Sequence, residues 1–273
     1  MKQYTSLYFV GAGGIGMSAL ARYFLAKGYK VAGYDRRQSP LTTELKTEGL
    51  EIVYEESVES IPDYCRNPET TLVVYTPAIP ASHSGLVYFR EHGFRVVKRA
   101  ELLGLITQSS RGLCFAGTHG KTTTSSMAAH IFHESPIGCN AFLGGILRNY
   151  NSNLILSEQS PFTVIEADEY DRSFHWLHPY MAVVTATDPD HLDIYGTEEA
   201  YLESFAHFTS LIQPGGCLIM KKGIRLVPNV KEGVKIYTYS ARDGGDFHAG
   251  NIRIGDGTIV FDFVMPEGSV ADI

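Results

Sequence analysis

Long apolar runs, a surplus of basic residues and closely spaced cysteines are all missing from this sequence. No stretch among the 273 residues reaches the roughly 18 apolar residues of a membrane helix. The short apolar segment near the N-terminus breaks into glycines at 11–16, and no signal-peptide cleavage pattern follows. Lys and Arg total 23 against 30 Asp and Glu, a net charge of −7, which argues against nucleic-acid and membrane-surface binding. We therefore expect a cytoplasmic protein without a nucleic-acid or membrane partner; composition leaves the oligomeric state open.

Cysteine is also scarce. The four residues, Cys65, Cys114, Cys139 and Cys217, show no short metal-binding spacing. Cys114 and Cys217 lie in apolar runs that are typical of buried strands. Buried free thiols in a reducing compartment are the resulting prediction.

What the sequence does contain is a regular alternation of apolar runs and helical patterns. Apolar residues make up 44% and charged residues 19%, so a well-buried core is expected. Strands are predicted at 7–10, 31–34 and 72–75, with amphipathic helices between them. Strands alternating with helices predict a parallel sheet of Rossmann-like α/β type.

A second strand–helix series starts at 113–116 with a glycine loop of its own. We therefore predict two domains, 1–108 and 109–273. The character of the chain changes after 236, where alternating apolar runs flank Gly255-Asp256-Gly257. This pattern predicts a β-hairpin near the end of the second domain.

The first glycine loop, Gly11-Ala-Gly-Gly-Ile-Gly16, fits the pattern G-x-G-x-x-G between a strand and a helix. Glycine lets the backbone approach a pyrophosphate, and the helix N-terminus offers free N–H groups to it. Asp35 follows the second predicted strand, where a carboxylate can accept a hydrogen bond from a ribose hydroxyl. Alone, this loop favours a nicotinamide-dependent dehydrogenase, and the structural alternative is a tight turn without a ligand.

The second loop, Gly117-Thr-His-Gly-Lys-Thr-Thr123, is typical of a phosphate-binding loop. Its N–H groups can surround phosphate oxygens, Lys121 can reach the outer phosphates, and the Thr122 hydroxyl can bind Mg²⁺. The common spacing requires glycine at position 115, which is Phe115, so this loop is shorter than usual. We interpret it as the ATP site.

Two acidic segments follow later predicted strands. Glu166-Ala-Asp-Glu-Tyr-Asp171 holds four acids within six residues, which repel one another unless a cation or a basic group lies among them. Asp188-Pro-Asp-His-Leu-Asp193 includes His191, a possible metal ligand or phosphate contact. Because strand ends share one edge of a parallel sheet, these groups are expected near the second loop. Solvated acids and a structural histidine are the alternatives.

These segments together resemble the Mur ligases, the ATP-dependent amide-forming enzymes of peptidoglycan synthesis. The similarity lies in both glycine loops, in Glu166-Ala-Asp-Glu169 and Asp190-His-Leu-Asp193, and in Tyr75-Thr-Pro-Ala-Ile79 and Arg99-Ala-Glu-Leu-Leu103. The short phosphate loop is the form typical of that family. The resemblance covers nearly the whole chain.

The resemblance implies substrates and residue roles. The first domain would bind UDP-N-acetylmuramate through Gly11, Gly13, Gly14, Ile15, Gly16, Asp35, Thr76 and Arg99. ATP would bind at Gly117, Thr118, His119, Gly120, Lys121, Thr122 and Thr123, with one Mg²⁺ on Thr122 and Glu166 and a second Mg²⁺ on His191. Lys121, Glu166 and His191 would be catalytic. The lactyl carboxylate would attack the γ-phosphate, and L-alanine would capture the acyl phosphate to form an amide.

The sequence also departs from the family pattern. Residues 186–189 read Ala-Thr-Asp-Pro, which differs from the usual segment before the histidine. The family's third domain, which contributes to the adenine and amino-acid sites, is not found in these 273 residues. We therefore expect this chain to bind the UDP-sugar without forming an amide bond. Two alternatives remain: a ligase attaching a recycled tripeptide to the same UDP-sugar, and, more distantly, a nicotinamide-dependent oxidoreductase.

Overall fold

The structure, a computed structural model, describes residues 3–242 and 244–273 as two compact units. The first unit comprises Met1–Ser110 and Ser126–Val164, and the second comprises Arg111–Ser125 and Ile165–Ile273. One division, between Ser110 and Arg111, falls between a helix and a strand, and the other two fall within a helix and within a strand. The predicted domain boundary between 108 and 109 therefore stays a prediction, and each unit is described separately.

Strands and helices alternate through most of the chain. The strands are β1 (Ser6–Val10), β2 (Lys30–Tyr34), β3 (Glu51–Val53), β4 (Thr71–Tyr75), β5 (Arg95–Lys98), β6 (Arg111–Ala116), β7 (Asn140–Leu147), β8 (Ser152–Ile155), β9 (Phe162–Glu166), β10 (Pro179–Val184), β11 (Cys217–Lys221), β12 (Lys235–Ser240), β13 (Phe247–Gly255), β14 (Thr258–Met265) and β15 (Gly268–Val270). The helices are α1 (Ile15–Ala26), α2 (Pro40–Thr47), α3 (Ser84–Glu91), α4 (Arg99–Gln108), α5 (Lys121–Glu134), α6 (Leu192–Tyr195) and α7 (Glu198–Ser210). Short 3-10 turns occupy Asp63–Cys65 and Tyr170–Trp176.

A five-stranded parallel sheet organises the first unit. Its strand order is β3-β2-β1-β4-β5. The central strand β1 is buried along its whole length, as expected for a parallel strand covered on both faces. Helix α1 packs with Met17, Leu20 and Phe24 buried at helical spacing. The predicted Rossmann-like α/β arrangement is confirmed.

A mostly parallel sheet organises the second unit. Strands β6, β10, β11, β12 and β13 pair in parallel in that order. Strands β14 and β15 then continue antiparallel. The predicted hairpin is confirmed as β13–β14, because Gly255 pairs with Thr258 across a turn in which Asp256 and Gly257 have φ of 49° and 75°. Positive φ at both central residues matches the tight turns preferred in hairpins.

The structure contains strands that the sequence analysis did not predict. Strand β3 has three residues, too few for a periodic pattern. Strands β7 and β8 pair antiparallel with a shift in register between Phe142 and Leu147. The Gly144-Gly145 pair lies within this irregular stretch, and glycine is a poor strand former.

The burial of three cysteines agrees with the prediction for free thiols. Cys65, Cys114 and Cys139 are buried, whereas Cys217 is half-buried, and all four are free. Burial raises the pKa of the Cys65 thiol to about 12 and that of Cys139 to about 11. Within the described part of the chain, no helix has the length and apolarity needed to cross a bilayer.

A buried histidine begins helix α3. The Nδ1 atom of His83 accepts the Leu86 N–H at 3.3 Å, and its ring lies 4.5 Å from that of Tyr34. Its Nε2 atom is buried without a hydrogen-bond partner among the described residues. Burial lowers the pKa of His83 below its ordinary 6.5, although Glu56 acts in the opposite direction. The native structure therefore favours the neutral ring.

We predict that His83 makes the folded chain less stable in mild acid. Because its folded-state pKa is lowered, the unfolded chain binds the proton more readily, so this contribution is complete above pH 6.5 and decreases below it. His83→Asn keeps a helix-capping acceptor but does not titrate. The variant should lose less unfolding free energy between about pH 7.5 and about pH 5.5, by at most about 1.4 kcal/mol per pH unit. Urea unfolding measures this, with His92→Asn at the exposed end of α3 as control. Equal losses in His83→Asn and the unmodified chain would contradict the prediction.

Candidate functional site

The first glycine loop joins β1 to α1 in the first unit. Gly11 has φ of 92°, a conformation that side chains disfavour. Gly14 lies at the N-cap of α1 in extended conformation, and no side chain caps the helix. The N–H groups of the first turn are therefore available to an anion, as a helix N-terminus beside a glycine loop provides.

Strand register gathers the other predicted residues around this loop. Val10 pairs with Tyr34 and with Tyr75, and Tyr75 pairs with Lys98. Four parallel strands thus end level with one another. The residues that follow these ends are the predicted Gly11, Asp35, Thr76 and Arg99.

Close contacts confirm that these side chains surround the loop. A Cβ on Gly11 would lie 2.7 Å from Thr76 Cγ2, and one on Gly16 would lie 2.9 Å from Arg99 Nη1. Each distance is too short for a real side chain, so Thr76 and Arg99 take the space that glycine leaves. The structure therefore brings the predicted first-unit residues together; their contacts with a ligand stay predictions.

Asp35 supports the loop. Its Oδ2 atom accepts the Gly13 N–H at 2.7 Å, and Oδ1 accepts the Arg37 N–H at 3.4 Å. From the sequence, this carboxylate is predicted to accept a hydrogen bond from a ribose hydroxyl. In the structure it fixes the backbone of the glycine loop, and the ribose contact stays a prediction.

The second glycine loop joins β6 to α5 in the second unit. Gly117 and Gly120 have φ of 138° and 83°. A Cβ on Gly117 would collide with Thr185 Oγ1 at the end of β10. The Thr185 hydroxyl lies within hydrogen-bond distance of two loop carbonyls, Ala116 O at 3.2 Å and His119 O at 2.5 Å. The neighbouring strand therefore fixes the loop, and only glycine fits at position 117.

Lys121 contributes the cation of this loop. Its Nζ donates to Gly117 O at 2.8 Å and to Glu169 Oε1 at 2.8 Å. Glu169 is 1% exposed, and its Oε2 atom has no hydrogen-bond partner among the described residues. An ammonium group has three donors, and these contacts use two of them. Lys121 is the basic group that the cluster of acids requires.

Thr122 and Glu166 form the nearest arrangement to a magnesium site. The Thr122 hydroxyl donates to Glu166 Oε1 at 3.0 Å. Mg²⁺ prefers oxygen ligands and commonly combines one or two carboxylates with phosphates and water, so this donor set fits the ion. Nowhere in residues 3–242 and 244–273 do three or more His, Cys, Asp or Glu side chains form a group that could hold a metal.

His191 is placed by a left-handed backbone with φ of 52° before α6. Its Nε2 lies 3.8 Å from Asp190 Oδ2, and its ring packs edge-on against Tyr170 at 5.2 Å. These are the described contacts of its side chain, so its role as a metal ligand stays a prediction.

The segment after β10 contacts the phosphate loop mainly through its backbone. Thr118 N donates to Ala186 O at 3.1 Å, and Thr118 Oγ1 donates to Asp188 O at 2.7 Å. The same hydroxyl lies 2.9 Å from Tyr201 OH. His119 and Thr123, the remaining side chains of the predicted ATP site, are exposed.

Sequence analysis missed the structural roles of Glu169, Thr185 and Tyr201. The four acids within 166–171 indicated that a basic group lies among them. They did not indicate that Glu169 is the acid that contacts it. Thr185 and Tyr201 belong to ordinary strand and helix patterns. No sequence signal distinguishes them, because their contacts depend on tertiary structure.

Family models match both halves of the chain. A model described as Mur ligase family, catalytic domain, matches residues 6–111. A model described as Mur ligase middle domain matches residues 115–272, more than half of the chain.

Curated relatives agree with these matches. The UDP-N-acetylmuramate–L-alanine ligase of Parabacteroides distasonis is 67% identical over 98% of this chain and 58% of that protein. A Porphyromonas gingivalis protein of the same name is 53% identical over 98% of this chain and 59% of its own length. The chain therefore spans less than two thirds of the length of these relatives.

Solved structures share the fold. The UDP-N-acetylmuramate:L-alanyl-γ-D-glutamyl-meso-diaminopimelate ligase from Neisseria meningitides has a TM-score of 0.81 at 21% identity, covering 97% of this chain and 86% of that one. The UDP-N-acetylmuramate–alanine ligase from Thermotoga maritima has a TM-score of 0.78 at 23% identity, covering 98% and 60%. At these identities the likeness shows the fold alone.

Two adjacent glycines of the first loop should differ sharply in their tolerance of alanine. A Cβ on Gly13 would lie 2.7 Å from the buried Thr42 and 2.8 Å from Asp35 Oδ2, whereas one on Gly14 has 3.8 Å of clearance. Gly13→Ala should destabilise the chain by about 1–3 kcal/mol through overpacking. Gly14→Ala should stay within about 0.5 kcal/mol. Urea unfolding of both variants tests the loop geometry, and equal stabilities would contradict it.

Proposed function

The chain belongs to the Mur ligase family, and from this premise we propose that it forms the UDP-sugar and ATP-phosphate sites of a UDP-N-acetylmuramate–L-alanine ligase. The pairing of Thr122 with Glu166 beside Lys121 is the observation on which the proposal chiefly rests. It combines a cation, a hydroxyl and a carboxylate at a glycine loop, the set that phosphoryl transfer with Mg²⁺ uses. Relatives of that name, 53–67% identical, support the choice of reaction.

The UDP-sugar is assigned to the first loop. Gly13, Gly14 and Gly16 would face its pyrophosphate, which would meet the N–H groups of the first turn of α1, with Gly11 and Ile15 completing the loop. The Gly13 N–H itself donates to Asp35. The rest of the UDP-sugar would contact the side chains that the strand ends bring to the loop. These are Asp35, Thr76 and Arg99.

ATP is assigned to the second loop as a co-substrate. The backbone of 117–123 would surround its phosphates, apart from the Thr118 N–H, which donates to Ala186 O. Lys121 would neutralise the outer phosphates. Thr122 and Glu166 are the proposed protein ligands of one magnesium ion, and His191 is the proposed ligand of a second. When bound, Mg²⁺ would offset phosphate charge as it develops in the transition state.

The proposed reaction brings two anions together. The lactyl carboxylate of UDP-N-acetylmuramate must approach the γ-phosphate of ATP, and the two groups repel each other. Lys121 and the oriented N–H groups of the loop reduce this repulsion without reorganising during the reaction. The carboxylate would take the γ-phosphoryl group and release ADP. The amine of L-alanine would then attack the acyl phosphate, forming the amide and releasing phosphate and a proton.

Two other functions receive less support. A ligase that attaches a tripeptide to the same UDP-sugar shares the fold, but its structural likeness comes at 21% identity. A nicotinamide-dependent oxidoreductase would use the first loop and leave Lys121, Thr122 and Glu166 without a role. Cytoplasmic location is also part of the proposal, since three buried free thiols suit a reducing compartment.

Ligand titration tests the proposal directly. By isothermal calorimetry, the 273-residue chain should bind UDP-N-acetylmuramate and show no heat with NADH, because the first loop is assigned to the UDP-sugar. Binding of NADH in preference to the UDP-sugar would contradict the assignment.

Lys121→Ala should weaken the binding of Mg·ATP and leave the binding of UDP-N-acetylmuramate nearly unchanged. Affinity for Mg·ATP should fall by about tenfold or more, since a charge-assisted phosphate contact is lost. Affinity for UDP-N-acetylmuramate should change by less than about twofold, because the first loop is intact. Lys221→Ala, which removes an exposed lysine at the end of β11, is the matched control. Parallel loss of both ligands in Lys121→Ala would contradict separate sites.

His191→Ala should raise the magnesium concentration needed for half-maximal ATP binding. Loss of the proposed ligand of the second magnesium ion is expected to cost about tenfold or more in affinity for that ion. ATP titrations at increasing Mg²⁺ concentrations measure the effect, with His207→Ala as control. An unchanged magnesium dependence would contradict the proposal and indicate that His191 has a structural role.

A further inference from the structure

The ammonium group of Lys121 is held inside the loop by two contacts with the protein. Its side chain is 16% exposed, and that of its partner Glu169 is 1% exposed. One donor of the ammonium meets Gly117 O, and another meets Glu169 Oε1, both at 2.8 Å. A flexible lysine is thereby restricted to one position, with a further donor remaining for a ligand.

Glu169 is itself fixed through its backbone. Its carbonyl oxygen accepts the Arg172 N–H at 3.0 Å and the Tyr195 hydroxyl at 2.5 Å. Ser204 Oγ lies 3.4 Å from Tyr195 OH, and the Arg172 guanidinium stacks over the Tyr195 ring at 4.7 Å. These contacts anchor the residue that holds the lysine, so the carboxylate cannot easily follow a displaced ammonium.

The burial of Glu169 carries a cost. Its Oε2 atom is buried without a partner among the described residues. A buried carboxylate with an unpaired oxygen is unfavourable, and a buried ion pair alone is weak evidence of a stabilising role. The side chain therefore fits a functional role at the loop better than a purely structural one.

We propose that Glu169 is a positioning residue that fixes the Lys121 ammonium for phosphate binding. This inference rests on the proposed assignment of the loop to ATP phosphates. The fixed ammonium presents its remaining N–H to an outer phosphate without losing side-chain freedom on binding. The carboxylate of Glu169 also repels the phosphate. Glu169 therefore fixes the Lys121 ammonium but lowers the affinity of the loop for polyphosphate.

Glu169→Gln removes the charge and keeps the shape. Without the carboxylate, Lys121 is released to the ligand and the repulsion disappears. The variant should therefore bind inorganic tripolyphosphate about 3–10-fold more tightly than the unmodified chain. Isothermal calorimetry on the 273-residue chain measures this. Asp168→Asn, an identical charge change one residue earlier, should leave the affinity unchanged.

A second measurement requires no ligand. Hydrogen exchange of the Lys121 ammonium, followed by NMR, should be slow in the unmodified chain and in Asp168→Asn, and faster in Glu169→Gln. Thermal unfolding establishes that each variant is folded. A role confined to stability would shift the melting temperature and leave the ammonium exchange of the folded chain unchanged.

The outcomes separate this inference from the proposed function. Unchanged ammonium exchange in Glu169→Gln overturns the positioning role, and unchanged or weaker tripolyphosphate binding overturns the proposed repulsion between Glu169 and the phosphate. Tripolyphosphate binding that survives Lys121→Ala overturns the phosphate assignment, whatever Glu169 does to the ammonium. No detectable binding of tripolyphosphate by the unmodified chain contradicts the proposed function and this inference together.

Discussion

Parallel strand pairing in matched register is the constraint on which the first candidate site depends. Strands β1, β2, β4 and β5 end level with one another, so the residues that follow them meet at one edge. Side chains far apart in sequence thus surround a single glycine loop. In the second unit Ala116 pairs with Val184, which brings Gly117 beside Thr185. Each loop is therefore shaped by a neighbouring strand as well as by its own glycines.

Close packing explains why glycine is needed at some positions and tolerated at others. Gly13 and Gly117 leave no space for a Cβ, a Cβ on Gly16 would displace the flexible end of Arg99, and Gly14 has room for one. The glycines of the sequence pattern are therefore present for different physical reasons. Steric exclusion requires glycine only at positions where another residue fills the space that a Cβ would occupy.

Electrostatics organises the second loop. Lys121 lies between a carbonyl oxygen and the buried Glu169, and Thr122 contacts Glu166. The cation is thereby held among acids that would otherwise repel one another. Such an arrangement is costly to bury and suits a ligand that brings its own negative charge and its own metal ion. A phosphate site of this kind agrees with the family to which the chain belongs.

The sequence by itself determined the fold class, both glycine loops, the terminal hairpin and the family. These features depend on local patterns: apolar periodicity, glycine spacing and the order of motifs along the chain. It did not determine that Asp35 would bind the loop backbone, that Glu169 would pair with Lys121, or that Thr185 would fix the phosphate loop. Each of these contacts joins residues that are 22 or more positions apart. Only the tertiary structure decided them, because strand register and burial select which of several similar acids and hydroxyls reaches each loop.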